Sequence, residues 1–480
     1  MRDINKTAFV SGNFNILHPG HLRLLRFAKD LSAHLIVAIS SDRIAGKEVL
    51  VPENLRLESL QSNTWVDEVF IYDEPLNDLI LRLKPDFVVK GKEHENQYNI
   101  EQDAVESYGG KVVFSSGEVI FSSFDLIHKI INKGIDGSFS LPDRYMERHR
   151  LSTDGLSNTI NRFSQLKTLI IGDIIIDEYI TCDPLGMSQE DPTIVVTPIE
   201  SKRFLGGAAI VAAHANQMGA KVKFISVAGN DPMKDFTLDN LLALGVDCSI
   251  FIDDSRPTTL KQRYRAKGKT LLRVSHLRQG AIDAHLQECI LKCVEDELNS
   301  CQLLVFSDFN YGCLPSELVD KIINLAVSKN VIMVADSQSS SQTGDIGRFK
   351  NMVLLTPTER EARLSLRDIE SGLVVLAENL RKQANAQNIL LKIGEEGVIV
   401  YSGNTSDWLT DRIPALNAQP VDVAGAGDSM LVSSSLALAT GASIWEAAAI
   451  GSLAAAIQVS RVGNIPLHKD EILNKILSAN

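Results

Sequence analysis

The sequence lacks a basic surplus, although charged residues are plentiful in it. Its 48 lysines and arginines face 60 aspartates and glutamates, which gives a formal net charge of −12 at pH 7 over 480 residues. A protein that binds nucleic acid nonspecifically needs an excess of cations to neutralise phosphates. The charge balance therefore argues against nucleic acid as a partner, while local cationic clusters that bind a small phosphorylated ligand remain possible.

Long apolar runs and organised cysteines are missing as well. No apolar stretch reaches membrane-spanning length, and the first residues, MRDINKTAFVSGNF, contain no apolar core of a signal peptide. The six cysteines are scattered, and the helically spaced pair Cys289 and Cys293 has no second pair to complete a zinc site. We expect a cytoplasmic protein without membrane contact, whose cysteines are reduced packing residues.

The chain does have alternating apolar strands and helical patterns, in two series that a polar stretch separates. The first series runs from 7 to about 131, and the second begins at 167. Alternation of this kind predicts parallel α/β sheets, so we predict one domain at 1–133, a linker or short bridging helix at 134–163, and a second domain at 164–480. Within the second domain, strands at 193–205, 258–267 and 270–275 could form a small sheet that covers a site.

A first candidate site lies in FNILHPGH, residues 14–21, between an apolar strand and a helical pattern. The N-terminus of a helix presents free N–H groups that suit a phosphate, and Gly20 allows close backbone approach. His18 and His21 add imidazole donors at the same place. This arrangement favours a nucleoside triphosphate site over the alternative, a surface turn whose histidines happen to be neighbours.

A second candidate site lies in DVAGAGDS, residues 422–429, which opens an apolar helical pattern. Gly425, Ala426 and Gly427 form a nest of backbone N–H groups that can stabilise charge on a transferring phosphoryl group. Asp428 is placed to accept a proton from an attacking hydroxyl. Another glycine pair, Gly206-Gly207, also opens an apolar helix, and both close backbone packing and direct substrate contact are consistent with it.

These motifs carry two resemblances. Residues 167–480 resemble the ribokinase-like (PfkB) family of sugar kinases through GDIIIDEYI, FLGGAAIVAAHANQMGA, GND, SDFNYGCL, LLTPTEREA and DVAGAGD. Residues 7–131 resemble the HxGH nucleotidyltransferases through GNFNILHPGH, PENLR, VVKGKEH and FSSFDLI. Together, with GMSQEDPTIVV at 186–196, they resemble the family of bifunctional heptose-7-phosphate kinase/heptose-1-phosphate adenylyltransferases, with the two halves in reversed order. The resemblance implies two doubly wound domains, a Rossmann-like nucleotidyltransferase and a ribokinase-like kinase with a small β-lid.

The resemblance to sugar kinases also implies roles for single residues. Asp428 would be the general base, with Gly425, Ala426 and Gly427 as the anion hole. The sugar would lie near Asp173, Asp177, Gly206 and Gly207, and Lys261 would reach the phosphate that the sugar already carries. Nucleotide-side positions are matched by Thr356, Glu361, Lys392, Gly394 and Gly397, of which Glu361 would be linked indirectly to Mg²⁺ on ATP.

The resemblance to nucleotidyltransferases implies a triphosphate site in the first half. His18 and His21 would stabilise the leaving pyrophosphate. Further contacts would come from Asn13, Phe14, Lys47, Arg56, Lys90, Gly91, Ser122 and Ser123. The implied reaction is attack by a sugar 1-phosphate on ATP, with CTP as the alternative nucleotide. The family also implies a homodimer that pairs through the lid strands.

Several positions depart from the family patterns. Ile210, Thr358 and Ala424 replace an asparagine, an asparagine and a threonine, and Asp336-Ser337-Gln338 replaces Asp-Pro-Lys. In the first half, Asn15 stands for aspartate and Phe124 for threonine. These departures favour a changed sugar, with a degenerate half that acts as scaffold or regulator as the alternative. A pure sugar or nucleotide sensor is less consistent with the sequence, because a sensor needs no base.

Overall fold

A computed structural model describes residues 6–15, 17, 19–46, 49, 51–91, 99, 101–114, 141–188, 190–191, 193–266, 269–339, 344–403 and 410–477. The chain divides into two compact units, Met1–Gly137 and Ser138–Asn480. The predicted site residues His18, Lys47, Ser122 and Ser123 lie outside the described residues, as does Phe124. No helix in the described ranges has the length and apolar character that crossing a membrane requires.

The first unit contains a five-stranded parallel sheet in the order β3-β2-β1-β4-β5. The strands are β1 Thr7–Gly12, β2 His34–Ser40, β3 Glu68–Tyr72, β4 Phe87–Lys90 and β5 Lys111–Phe114. The helices in the described residues are α1 Pro19–Leu31, α2 Asp42–Ala45, α3 Glu53–Gln61, α4 Leu76–Leu83 and α5 Gln102–Ser107. Alternate residues of β1 face two different cores, Ala8 and Val10 on one side and Phe9 on the other, which confirms the doubly wound prediction.

The second unit contains a nine-stranded sheet in the order β10-β9-β6-β13-β14-β15-β16-β17-β18. Its strands are β6 Lys167–Gly172, β9 Lys221–Ala228, β10 Asp247–Ile252, β13 Leu303–Asp308, β14 Ile332–Ser337, β15 Leu354–Leu355, β16 Asn388–Lys392, β17 Val398–Ser402 and β18 Thr410–Ile413. Pairing is parallel from β10 to β16 and antiparallel from β16 to β18. Large apolar cores cover both faces of the sheet, so this unit is also doubly wound.

Between residues 207 and 477, the described part of the second unit contains nine α-helices. They are α8 Gly207–Gln217, α9 Pro232–Ala243, α10 Ala284–Glu297, α11 Ser316–Ser328, α12 Glu359–Leu366, α13 Leu373–Ala384, α14 Ala426–Ala439, α15 Ile444–Gln458 and α16 Lys469–Leu477. The two predicted glycine-led helices are thus α8 and α14. Both are almost wholly buried, because small residues let them pack closely against each other and the sheet.

The predicted small sheet is present as four strands in the order β12-β11-β7-β8. These are β7 Ile174–Met187, β8 Ile194–Gly206, β11 Thr259–Ala266 and β12 Lys269–His276. The chain leaves β6 at Gly172 and enters β7 at Ile174, so only Asp173 separates the main sheet from the lid sheet. The lid is therefore anchored at the carboxyl end of β6, next to the carboxyl ends of β13 and β14.

The described part of the predicted linker or bridging helix is helical and packs within the second unit. Residues 141–163 contain α6 Asp143–Arg148 and α7 Thr153–Asn161, and a 3₁₀ turn, Arg162–Gln165, leads into β6. Tyr145 and Phe163 are fully buried in the core of the second unit, and the Tyr145 hydroxyl donates to the carbonyl of Trp445 at 2.8 Å. The polar composition concealed a helical stripe, Leu156, Ile160 and Phe163, that packs against this core.

Candidate active sites

The start of α14 presents a carboxylate and a nest of backbone N–H groups. Gly425 has φ +77°, and a Cβ at that position would lie 2.3 Å from Asn464 Oδ1, so the turn requires glycine. The first N–H groups of a helix have no partner within it, which leaves those of Ala426 and Gly427 available to an anion. Asp428 is buried in this first turn. Burial, and next the charge of Asp336, raise the pKa of Asp428 to about 7.

A buried ion pair lies beside this nest. Lys392 Nζ, at the end of β16, is 3.0 and 3.1 Å from the two carboxylate oxygens of Asp336, at the end of β14. A Cβ on Gly427 would lie 3.2 Å from the same Nζ atom. Burial opposes the charge of Lys392, but Asp336 and other carboxylates raise its pKa above the ordinary value. The ammonium is therefore retained next to the position that an anion would occupy.

Asp173 supports a loop on the predicted sugar side. Its carboxylate accepts backbone N–H groups from Phe309 at 2.8 Å, Cys313 at 3.1 Å and Tyr311 at 3.3 Å. Burial, together with the nearby Asp308, raises the pKa of Asp173 to about 6. Both carboxylate oxygens are thus engaged by the loop that follows β13, so the structure gives Asp173 a supporting position beneath the site.

Asp177 and Lys261 face the same region from adjacent lid strands. They lie opposite each other in the β7–β11 register, and both are buried. The Lys261 ammonium lies 5.1 and 5.4 Å from the ring centroids of Tyr311 and Phe309. Both Asp177 and Lys261 act electrostatically on Asp428, the first raising and the second lowering its pKa. The predicted sugar-side residues and the predicted base therefore face one site.

The glycine pair before α8 is required by close packing against these aspartates. A Cβ on Gly206 would lie 2.6 Å from Asp177 Oδ2, and one on Gly207 would lie 2.4 Å from the Asp173 carbonyl oxygen. Gly207 also has φ +59°. Of the two interpretations offered by the sequence, close packing is thus met at both positions, and the pair lies beside two residues that are predicted for the sugar side.

The residues predicted for the nucleotide side lie at the ends of β15 and β16. Thr356 is fully buried, while Gly394 and Gly397 form the turn between β16 and β17 with φ +66° and +100°. A cavity of about 790 Å³ opens here, and Thr358, Lys392 and Gly394 are among the residues that line it.

The Glu361 carboxylate accepts two backbone hydrogen bonds at the start of α12. One carboxylate oxygen accepts the N–H of Thr358 at 2.7 Å, and the other accepts the N–H of Ser339 at 3.1 Å. The Thr358 hydroxyl accepts the Glu361 N–H in return, which forms a capping box. Thr358, which replaces the asparagine of the family pattern, therefore still caps the N-terminus of the helix. Each oxygen of Glu361 keeps a further lone pair, which fits an indirect contact with Mg²⁺ through water; the described residues contain no cluster of three or more metal-binding side chains.

In the first unit, described candidate residues follow the two strands between which the strand order reverses. The neighbouring strands β1 and β4 end at Gly12 and Lys90, so the residues directly after them lie at the crevice in which such sheets bind ligands. Phe14 has φ +47° and is buried, and its ring centroid lies 4.9 Å from that of His21 in the first turn of α1. Asn13 is tied to the end of β2, where its side chain accepts the Ser40 hydroxyl.

Arg56, to which the resemblance assigns a contact in the triphosphate site, is engaged by the protein itself. Its guanidinium is fully buried and donates to the carbonyls of Val51 at 2.8 Å, Asn13 at 2.6 Å and Ser40 at 3.0 Å. It also pairs with Asp42 at 2.6 Å. Every nitrogen of the guanidinium is therefore engaged, and Arg56 cross-links the loops after β1 and β2. The motif PENLR identifies the residue type, but the acceptors come from other segments of the chain.

Lys90 lies at the end of β4 as predicted and is also paired. Its Nζ is 2.9 and 3.0 Å from the two oxygens of Glu101, and both side chains are mostly buried. Gly91 follows it at the crevice. A phosphate that contacts Lys90 therefore has to share the ammonium with Glu101.

Two residues at the kinase-like site were missed by the sequence interpretation. Asp336 pairs with Lys392, and the Gln338 side chain donates to Asp428 Oδ1 at 3.3 Å. In the sequence, both stood out only as members of Asp336-Ser337-Gln338, which replaces the Asp-Pro-Lys of the family pattern. Their position at the carboxyl end of a buried parallel strand, where ligands bind, was the available signal.

Comparisons with known proteins match each half of the chain to a family. The family described as "pfkB family carbohydrate kinase" matches residues 165–470, and the family described as "Cytidylyltransferase-like" matches residues 9–129. The chain is 31% identical over 315 residues to the Bifunctional protein HldE of Helicobacter hepaticus, covering 65% of this chain and 64% of the relative. It is 29% identical over 318 residues to that of Desulfatibacillum aliphaticivorans, covering 65% and 63%. The chain therefore spans slightly less than two thirds of these relatives.

Solved structures support the fold of the second unit. Phosphofructokinase-2 from Escherichia coli in complex with substrates and products has a TM-score of 0.53 at 16% identity, covering 65% of this chain and 98% of that one. Arabidopsis thaliana ribokinase complexed with ribose and ATP has a TM-score of 0.52 at 16% identity, covering 65% and 98%. At this identity the likeness concerns the fold alone.

Proposed function

The chain belongs to the pfkB family of carbohydrate kinases, and from this we propose that Ser138–Asn480 phosphorylates a sugar phosphate with ATP. The proposed substrate is heptose 7-phosphate, and the proposed acceptor is its anomeric hydroxyl. The relatives that carry the name Bifunctional protein HldE motivate the choice of sugar. The observation that supports the chemistry most strongly is the burial of Asp428 in the first turn of α14, directly beside the backbone nest.

The proposed reaction uses Asp428 as general base. Its carboxylate accepts the proton of the sugar hydroxyl while that oxygen bonds to the γ-phosphorus of ATP and the bond between this phosphorus and the β–γ bridging oxygen breaks. The N–H groups of Ala426 and Gly427 stabilise the charge on the transferring group, and ADP leaves. A base with a pKa of about 7 is about half ionised at pH 7, and its ionised form accepts a proton effectively. Bound Mg²⁺ would neutralise phosphate charge, with Glu361 holding it through water.

On the sugar side, we propose that Lys261 binds the phosphate that the substrate already carries. Lys261 is a buried cation on lid strand β11, and its ammonium faces two aromatic rings instead of a salt-bridge partner among the described residues. A compact point charge of this kind suits a phosphate monoester.

We propose that the first unit transfers a nucleotidyl group to a sugar 1-phosphate and releases pyrophosphate. The proposed nucleotide is ATP, with CTP as the alternative. Support comes from the strand order of the sheet, from His21 at the start of α1 beside the crevice, and from the match to the cytidylyltransferase-like family. The two reactions together would activate a sugar as a nucleotide sugar such as ADP-heptose.

We propose a cytoplasmic location, where ATP is available.

We also propose a homodimer in which the lid sheets of two chains pack together. The lid strands carry large apolar side chains that are well exposed, namely Leu185, Met187, Ile194, Ile199 and Leu272. An exposed apolar group of this extent is typical of an interaction surface.

The test is product mass. The purified protein is incubated with ATP or CTP and a panel of phosphosugars that includes heptose 7-phosphate and heptose 1-phosphate. We expect a bisphosphate from the first sugar, lost in Asp428→Ala, and a nucleotide sugar from the second, kept in that variant. Absence of any Asp428-dependent phosphorylation would reject the kinase proposal. Phosphorylation without nucleotidyl transfer would support the alternative, a first unit that acts as scaffold.

A further inference from the structure

We propose that Gln338 is a positioning residue for the base, holding one oxygen of Asp428 so that the other faces the sugar hydroxyl. The inference rests on the proposed kinase function and deepens it by assigning a role to a residue that the family motif does not supply. Its basis is a direct contact: the Gln338 side-chain amide donates to Asp428 Oδ1 at 3.3 Å.

The backbone of Gln338 is fixed on both sides. Its N–H donates to the carbonyl of Asp308 at 2.8 Å, and its carbonyl accepts from the Asn310 side chain at 2.9 Å. Asp308 in turn accepts the Ser337 hydroxyl at 2.7 Å and pairs with Arg348 at 2.8 Å. These hydrogen bonds and the ion pair hold the backbone of Gln338 just after the end of β14. The side-chain amide therefore contacts Asp428, at the start of α14, from a rigid support.

The charges that face Asp428 explain why a neutral partner matters. Carboxylates face it from Asp336 on β14 and Asp177 on β7, and ammonium groups face it from Lys392 on β16 and Lys261 on β11. Lys392 is already shared with Asp336. In this balance, a glutamine provides a hydrogen bond without adding charge, whereas lysine at position 338 would add a cation within contact distance of the base.

An amide can also serve both protonation states of the base. Before transfer, its NH₂ group donates to the carboxylate; after transfer, its carbonyl can accept from the protonated acid once the amide rotates. A lysine has donors only and would favour the ionised form alone. Gln338 therefore supports a base that takes up and releases a proton in every turnover.

Three substitutions at position 338 give a graded test in the full-length protein. Gln338→Glu adds a like charge and should move the acidic limb of the kcat profile to higher pH, whereas Gln338→Lys should move it to lower pH. Gln338→Ala removes a hydrogen bond to the charged form, so the limb should move slightly upward, and kcat should fall about tenfold with little change in KM for ATP. Gln102→Ala removes a glutamine–carboxylate bond of 3.0 Å in the first unit and should leave this profile unchanged.

A second measurement does not need a substrate. The Asp428 carboxyl is titrated by ¹³C NMR in the wild type, Gln338→Glu and Gln338→Lys, and Asp428→Asn assigns the signal. The titration midpoints should follow the order Lys, Gln, Glu from low to high pH. Equal midpoints, or shifts of one sign in both variants, would overturn the positioning role even if no sugar is turned over. If the wild type shows no Asp428-dependent phosphorylation of any sugar, the proposed function is rejected instead.

Discussion

The two units differ in how the protein itself engages their cations. In the first unit, the buried Arg56 guanidinium is engaged on all three nitrogens, and Lys90 contacts both oxygens of Glu101. In the second unit, Lys392 likewise contacts both oxygens of Asp336, but Lys261 faces aromatic rings. Of these four cations, Lys261 alone lacks a carboxylate partner among the described residues, so it is the one that we propose to serve a ligand.

The largest effect is expected at the base of the second unit. Asp428→Asn removes the proton acceptor while keeping the size of the side chain, so kcat for sugar phosphorylation should fall on the order of a thousandfold. Coupled detection of ADP measures the loss. Pyrophosphate release by the first unit is the internal control and should stay at the wild-type rate; a loss in both reactions would indicate a folding defect.

Removal of the framework cation in the first unit should be the next largest effect. Arg56→Met leaves three buried carbonyls without their donor, so the free energy of unfolding of that unit should fall by about 3 kcal/mol. Denaturant unfolding of the full chain measures this change. Arg43→Met, which removes an exposed pair with Asp73, should change the free energy of unfolding much less than Arg56→Met does. Equal stability of Arg56→Met and the wild type, with weaker nucleotide binding, would show that Arg56 serves the ligand after all.

The available cation of the second unit should respond differently. Lys261→Met should raise KM for the phosphosugar by about 30-fold, because a charge-assisted contact with the phosphate is lost. The unphosphorylated sugar should be affected much less, and this ratio is the measurement that isolates the phosphate. Lys202→Met on lid strand β8 removes an exposed lysine and serves as the matched control. A similar rise with both sugars would place Lys261 elsewhere in the mechanism.

The pH dependence should distinguish the two reactions in one protein. Asp428 must be ionised to accept a proton, and its pKa is raised to about 7, so kcat for phosphorylation should fall as pH drops through 7. Below about pH 6, kcat should fall about tenfold for each pH unit. The nucleotidyl transfer does not depend on Asp428, and its profile should lack this limb.

A smaller effect concerns stability. An acid whose folded pKa is raised contributes stability below its unfolded pKa, and this contribution is lost as pH rises through the folded value. Asp428→Asn should therefore raise the melting temperature relative to the wild type more at pH 8 than at pH 5. A constant difference at both pH values would contradict the raised pKa.

The sequence predicted both α/β folds, the lid and the two glycine-led helices, because periodic apolar patterns and glycine turns are local signals. It also located Asp428 and the residues beside the crevice of the first sheet. The sequence could not show that the Arg56 guanidinium donates to carbonyls of three separate segments. Nor could it show that Gln338 contacts Asp428, which lies 90 positions away in the sequence. Such contacts depend on which strand ends meet, and that is decided by tertiary packing.

The buried helices at 141–163 bear on how the chain can be divided for experiments. A fragment that begins at the predicted domain boundary, 164, omits Tyr145, Leu156, Ile160 and Phe163, all of which fill the core of the second unit. Such a fragment would expose apolar surface along α15 and α16 and should express as an aggregate. A fragment that begins at 141 keeps this surface covered and is the better choice for crystallising the second unit alone.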